Sequence, residues 1–264
     1  MRKIEFGMPV LLENGSLQEN ISLCRRLGLQ FVEVNMSFPA YQLEFLEKPE
    51  GFHRENDVYF TIHLDENLNI ADYNPLARQA YVETVLRTID AAKTAGIPIL
   101  NMHMNHGIRV TLPDRKVYLY EQYQEEYLEN IRVFQELCQE RIGNADITIT
   151  VENTDGFLPF EREAVELLLR SPVFGLNWDI GHSAATGEAD LPFLMEHEKS
   201  LAHFHIHDGG QTPPCNHLAL GDGAIDLKAR LDCAARNNCR CVLETKTAAA
   251  LEKSVTWLKN RGYM

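Results

Sequence analysis

The sequence reads as a single-domain α/β protein, a (β/α)8 barrel spanning residues 1–264. Three observations predict this. Strand-like and helix-like segments alternate from end to end, and eight such pairs fit the roughly 250 residues a barrel of this type needs. No linker or low-complexity stretch interrupts the alternation. No glycine-rich phosphate fingerprint follows the first strand, where Gly7-Met8-Pro9 stands instead. That absence disfavours the rival open, doubly wound sheet.

Strands are expected near 4–10, 31–35, 58–64, 97–103, 147–152, 174–180, 201–207 and 239–245. Between the first two, Ser16-Leu17-Gln18-Glu19 reads as a capping box, in which each side chain satisfies the other residue's free amide. Gly28 then sits where that helix should end. A short helix is expected at 39–48. Asn74-Pro75 opens a helix over 75–95, with proline in the first turn and Gly96 just past the end. A long helix over 119–142 stops at Gly143, and helices are expected at 159–170, 190–199, 225–237 and 247–261.

Composition narrows the function classes. Twenty-five basic against thirty-eight acidic residues give a net charge of −13, which works against affinity for a phosphate backbone and so against nucleic acid as a partner. No apolar run approaches the eighteen residues of a membrane span, so no membrane partner is expected. The opening residues Met1–Gly7 lack the apolar core of a signal peptide, and a cytoplasmic location is expected. The six cysteines form no C-x-x-C pair and read as thiols in a reducing compartment.

In such barrels the active site lies at the C-terminal ends of the strands, and the polar residues gather there. The strand ends read 61-TIHLD-65, then 100-LNMHMNHG-107, 151-VENT-154, 178-WDIGH-182, 203-HFHIHDGG-210 and 243-LETK-246. Seven of the ten histidines (63, 103, 106, 182, 205, 207 and 217) fall at or just after them, which random placement would not produce. His203, His205 and His207 share one strand face because successive side chains alternate. Carboxylates inside apolar strands, such as Glu152 and Glu244, are costly unless paired or bound to a cation.

Converging on one mouth, Glu152, Asp179, His205 and Glu244 would make a three-carboxylate, one-imidazole metal site. That set suits Mn²⁺, Mg²⁺, Co²⁺ or Zn²⁺ without choosing among them. The plainer alternatives are buried salt bridges for the two glutamates, a helix cap for Asp179 and a core histidine for His205. His203, one layer deeper, reads as a structural partner. His207 reads either as a substrate contact or as a support for a neighbour. His53, His106 and His197 read as surface residues. Lys246, two residues after Glu244, shares its face and suits a phosphate or carboxylate on the substrate, or else is an ordinary surface lysine.

These residues resemble the xylose isomerase-like barrel superfamily, which includes sugar isomerases, epimerases and endonuclease IV. The likeness runs from Ile4 to about Trp257 and is carried by Glu33 in 31-FVEVN-35, His63, His103, the motifs above and 217-HLALGDGAID-226. For an isomerase or epimerase it implies one divalent metal on Glu152, Asp179, His205 and Glu244. The two glutamates would act on a small sugar, sugar phosphate, ketose or polyol-ketone through a metal-stabilised enediolate, with His103 and His182 on the sugar oxygens. Dehydration of a cyclic polyol-ketone starts with the same proton abstraction.

For a zinc phosphodiesterase like endonuclease IV, acting on abasic DNA, the resemblance implies three metals. His63, His103 and Glu152 would hold the first, the four-residue set the second, and His182 with an Asp-x-His pair the third. His217 matches that pair, but Cys215 stands where its aspartate belongs. The loop 65-DENLNIADYNP-75 is also acidic for a surface facing DNA, so the isomerase reading is preferred. Barrels of this kind often pair, which makes a homo-oligomer compatible with the resemblance.

Overall fold

The structure, a computed structural model, describes residues 4–48 and 58–264. His53 lies outside the described residues. In chain order the first elements are β1 (Glu5–Pro9), α1 (Leu17–Leu27), β2 (Phe31–Asn35), α2 (Leu43–Leu46), β3 (Tyr59–His63), α3 (Pro75–Ala95) and β4 (Ile99–His103). They continue with β5 (Arg109–Thr111), β6 (Lys116–Tyr118), α4 (Leu119–Gln122), α5 (Gln124–Ile142), β7 (Thr148–Glu152), α6 (Pro159–Leu168) and β8 (Phe174–Asp179). The last are α7 (Ile180–Ala185), α8 (Leu191–Glu196), β9 (Leu201–Ile206), β10 (Asp208–Gln211), β11 (Pro214–Leu218), α9 (Leu227–Asn237), β12 (Arg240–Leu243) and α10 (Ala248–Asn260).

Eight parallel strands close the expected barrel in the order β1-β12-β9-β8-β7-β4-β3-β2. Among the described residues no helix is long and apolar enough to cross a membrane. Outward residues such as Trp178, Phe204, Cys241 and Leu243 are buried against the helical layer, and inward ones alternate with them. Register aligns the polar positions. His103 lies beside Glu152, and His205 lies between Asp179 of β8 and Val242 of β12. A slip of one residue would turn each of these side chains to the other face.

Local chemistry sets most element ends as expected, with specific departures. Ser16 Oγ accepts from Glu19 N, but the Glu19 carboxylate reaches Gly15 N at 2.6 Å rather than Ser16 N. The expected helix 39–48 is one 3-10 turn (Pro39–Tyr41) followed by the single turn of α2. The helix over 119–142 is broken at Tyr123, and 190–199 contains α8 and a 3-10 turn. Two antiparallel hairpins, β5–β6 after β4 and β10–β11 after β9, were not expected from the sequence. Asp208 organises the second one. Its carboxylate accepts from the backbone N–H groups of Gly209, Gly221 and Ile225, tying the hairpin to the 219-ALGDG-223 loop.

Candidate active site at the barrel mouth

β7 ends in Glu152, β8 in Asp179 and β9 carries His205, while Glu244 follows β12. All four lie at the same end of the barrel. His205 Nδ1 is 3.3 Å from Glu152, 3.3 Å from Glu244 and 3.8 Å from Asp179. None of these approaches is a hydrogen bond, for His205 Nδ1 and Glu244 Oε2 are both buried without a hydrogen-bond partner. Three carboxylates converge here, and burial alone would raise the pKa of Glu152 and Glu244. For Glu152 and Glu244, His205 outweighs burial and holds both carboxyls well below the usual range. An ionised cluster with unfilled ring and carboxylate lone pairs fits a divalent cation of the kind that accepts mixed oxygen and nitrogen ligands.

The plainer roles are also present. Asp179 caps α7, its Oδ1 accepting from His182 N at 2.7 Å, and its Oδ2 lies 3.0 Å from His207 Nε2 and 3.8 Å from His205 Nδ1. Glu244 pairs with Lys246 at 2.8 Å through Oε1, leaving Oε2 turned inward. Glu152 has no lysine or arginine partner among the described residues. Its Oε2 instead accepts from the amides of Asn101 and Asn177, the latter at 3.0 Å.

Around this centre stand further imidazoles. His63 and His103 face each other at 3.2 Å between ring nitrogens and lie 3.6 and 3.5 Å from Glu152. Burial would lower His63, but Glu152 raises it to about 9. His182 Nδ1 lies 3.8 Å from both Glu152 and Asp179. His103 and His182 are 19% and 20% exposed, so both open onto the mouth. His217 lies 3.5 Å from Glu244, and burial lowers its pKa.

Five groupings among the described residues have metal-ligand spacing. They include Glu152 with Asp179 and His205, His63 with His103 and Glu152, and His182 with His207 and His217. Cys215 joins none of them; its Sγ lies over Gly210 in the hairpin.

His207 is fully buried among the mouth residues, 3.9 Å from Glu244. Its Nδ1 accepts from His217 N at 2.7 Å and its Nε2 donates to Asp179 at 3.0 Å, so neither nitrogen is left for the substrate contact weighed from sequence. His203 is the structural partner expected, bonded to Glu33 at 3.1 Å. Glu33 was quoted as a motif residue but given no role. It accepts from Thr61 Oγ1 at 2.9 Å and lies 2.8 Å from His205 Nε2, directly behind the centre. An isolated glutamate in a five-residue apolar strand was the available signal. His106, expected at the surface, is half-buried against Glu161 at 2.7 Å. His197 rests on the ring of Phe193 rather than facing solvent freely.

The model of the xylose isomerase-like TIM barrel family matches residues 21–261. The chain belongs to this family. Among solved structures, it is similar to a D-tagatose 3-epimerase-like protein, with 21% identity, a TM-score of 0.75 and coverage of 97% of this chain and 96% of the other. It is also similar to the 3-keto-D-glucoside 4-epimerase of E. coli (14%, TM-score 0.74, covering 98% and 100%). A third is the IOLI protein with a bound zinc atom (18%, TM-score 0.72, covering 99% of each chain). At these identities the likeness is one of fold. A comparison with curated proteins returns no match.

Proposed function

We propose that this chain is a divalent-metal-dependent isomerase or epimerase of a small sugar or related ketose. The observation that carries the reading is the convergence of Glu152, Asp179 and Glu244 on the unpartnered, buried Nδ1 of His205. These four residues would hold the ion. When bound, it supplies positive charge beside the carbonyl and hydroxyl oxygens of an open-chain sugar, lowering the cost of negative charge developing there.

The protein's own side chains do the rest. Glu152, held ionised and oriented by two asparagine amides, takes a proton from the carbon next to the carbonyl. Glu244, oriented by Lys246, is the second proton carrier. Return of the proton by the same glutamate or by the other distinguishes isomerisation from epimerisation. His103 and His182, open to the mouth, orient sugar oxygens. His207 steadies Asp179, and Glu33 steadies His205 from behind. The similarity to the D-tagatose 3-epimerase-like protein and to the 3-keto-D-glucoside 4-epimerase supports the reading, as does the zinc in the third structure.

The first test is metal content of the purified protein together with solvent-deuterium incorporation into a panel of ketoses. One Mn, Co, Mg or Zn per chain is expected, with exchange that a chelator stops and added metal restores. Exchange that survives full metal removal sinks the proposal. A second reading, a zinc phosphodiesterase acting on abasic DNA, is favoured by the His63–His103–Glu152 grouping. Against it stand Cys215 outside every grouping and the net charge of −13. Two or three zincs per chain with chelator-sensitive incision of abasic duplex would establish it instead.

A further inference from the structure

We propose that the mouth selects an uncharged ketose whose far end is apolar, a terminal deoxy sugar carrying a methyl group, and disfavours its phosphate ester. The proposal rests on the isomerase reading and narrows its substrate.

Beside the ionised cluster lies a cavity of about 150 Å³. Glu33, His63 and Glu244 line one side of it, and Pro9, Val10, Leu11, Leu12 and Phe38 line another. The first four of these apolar residues form the end of β1 and the segment that continues it. Val10 and Leu11 are buried and rigidly packed, whereas Leu12 is 83% exposed at the rim. A single exposed leucine is ordinary. Here it extends a wall that begins in the core and faces a cavity floored by ionised groups. The side chains of that wall carry no hydrogen-bonding group. A terminal hydroxymethyl laid against it gives up hydrogen bonds to water without replacement, while a methyl group gains contact and loses nothing.

Charge argues in the same direction. Two basic side chains line this cavity among the described residues: Lys246, whose ammonium is engaged by Glu244, and His63, which lies 3.6 Å from Glu152. The N-terminus of α10, in the position where many barrels receive phosphate, is already filled. Ala248 N donates to the carboxylate of Glu13, and Ala250 N donates to Thr247 Oγ1 at 3.2 Å. Asn35, also on the cavity wall, donates to Glu66 at 3.4 Å. A phosphate dianion in this cavity would therefore meet the carboxylates of Glu33 and Glu244, while the two basic side chains there, Lys246 and His63, are already directed at carboxylates.

The test uses the metal-loaded full chain and trios of ketohexose, 6-deoxyketohexose and ketohexose 6-phosphate matched in configuration. Deuterium incorporation is followed at concentrations below saturation, so that rates report kcat/KM. The deoxy sugar is expected to exceed its parent by about tenfold, the scale on which an apolar pocket separates such pairs. The phosphate is expected to fall at least as far below the parent. Leu12→Asn should shrink the deoxy preference, and Glu13→Ala, by freeing Ala248 N, should raise the phosphate rate relative to the parent. Exchange in which the phosphate matches or beats the parent, or in which the deoxy sugar has no advantage, overturns this inference and leaves the isomerase reading standing. Exchange with no member of any trio overturns both.

Discussion

Two glutamates lie inside the barrel, Glu33 on β2 and Glu152 on β7, and their surroundings differ in one respect. Both are buried. For both, burial pushes the carboxyl up and His205 reverses the push, so each is held ionised well below the usual carboxylate range. Around Glu33 the contacts close on themselves: Thr61 and His203 bond it, and His205 Nε2 approaches within 2.8 Å. Around Glu152 they stay open. His63, His103 and His205 stand 3.3 to 3.6 Å away and His182 at 3.8 Å, while the hydrogen bonds Glu152 accepts come from the amides of Asn101 and Asn177. The same carboxylate–imidazole chemistry is closed by hydrogen bonds around Glu33 and left as close, unbonded approaches around Glu152. Hydrogen-bond pairing, rather than residue type, separates the scaffold from the candidate site.

The largest expected effect tests this contrast directly. Glu152→Gln should lower deuterium exchange by 10² to 10⁴-fold, the range for losing a positioned base. Glu33→Gln should retain exchange within about a hundredfold, the range for a group that only orients a ligand. Circular dichroism of both variants should match the parent. If the order of the two losses were reversed, the division into scaffold and site would be wrong.

A smaller effect is expected from the support of Asp179. A Cβ placed on Gly181 would sit 1.8 Å from the ring of His207, a side chain buried with both nitrogens engaged. Gly181→Ala should therefore displace His207 and, through it, Asp179. A loss of about 1–3 kcal/mol in a denaturant titration is expected, with weaker metal binding by calorimetry. Unchanged stability and affinity would show that the hairpin carrying His207 yields freely.

The smallest effect concerns a histidine–carboxylate pair outside the barrel, His106 with Glu161. The hydrogen bond to Glu161 raises the His106 pKa above its ordinary 6.5. The stabilisation is thus fully present below about pH 6.5 and is lost as pH rises through the raised value. Because His106 is part-exposed, the contribution is under about 1 kcal/mol. His106→Gln should lower Tm by a few degrees at pH 6 and by less at pH 9. An equal drop at both would mean that packing rather than charge joins the pair.

Much of this was legible before any coordinates. Period-two strands ending in a carboxylate or histidine mark β3, β4, β7, β8 and β9, and the caps at Ser16, Asn74 and Gly96 mark helix ends. These signals are local, resting on side-chain alternation and on backbone groups within four residues. The convergence of Glu152, Asp179, His205 and Glu244 was legible for the same reason, since a barrel brings its strand ends together. The groupings that cross the barrel were not. Glu33 meets His203 across 170 residues. The His182–His207–His217 cluster exists because the hairpin that turns at Thr212-Pro213 folds His217 back over His207, a pairing that the local turn residues do not specify. The acidic guard at the start of α10 likewise joins Glu13 to Ala248 through barrel closure. Alternation and capping determined where each polar group stands along its own strand or helix. Which groups are satisfied, and which are left facing the mouth, was decided by closure and register, because a hydrogen bond depends on its partner's position and not on its sequence neighbours.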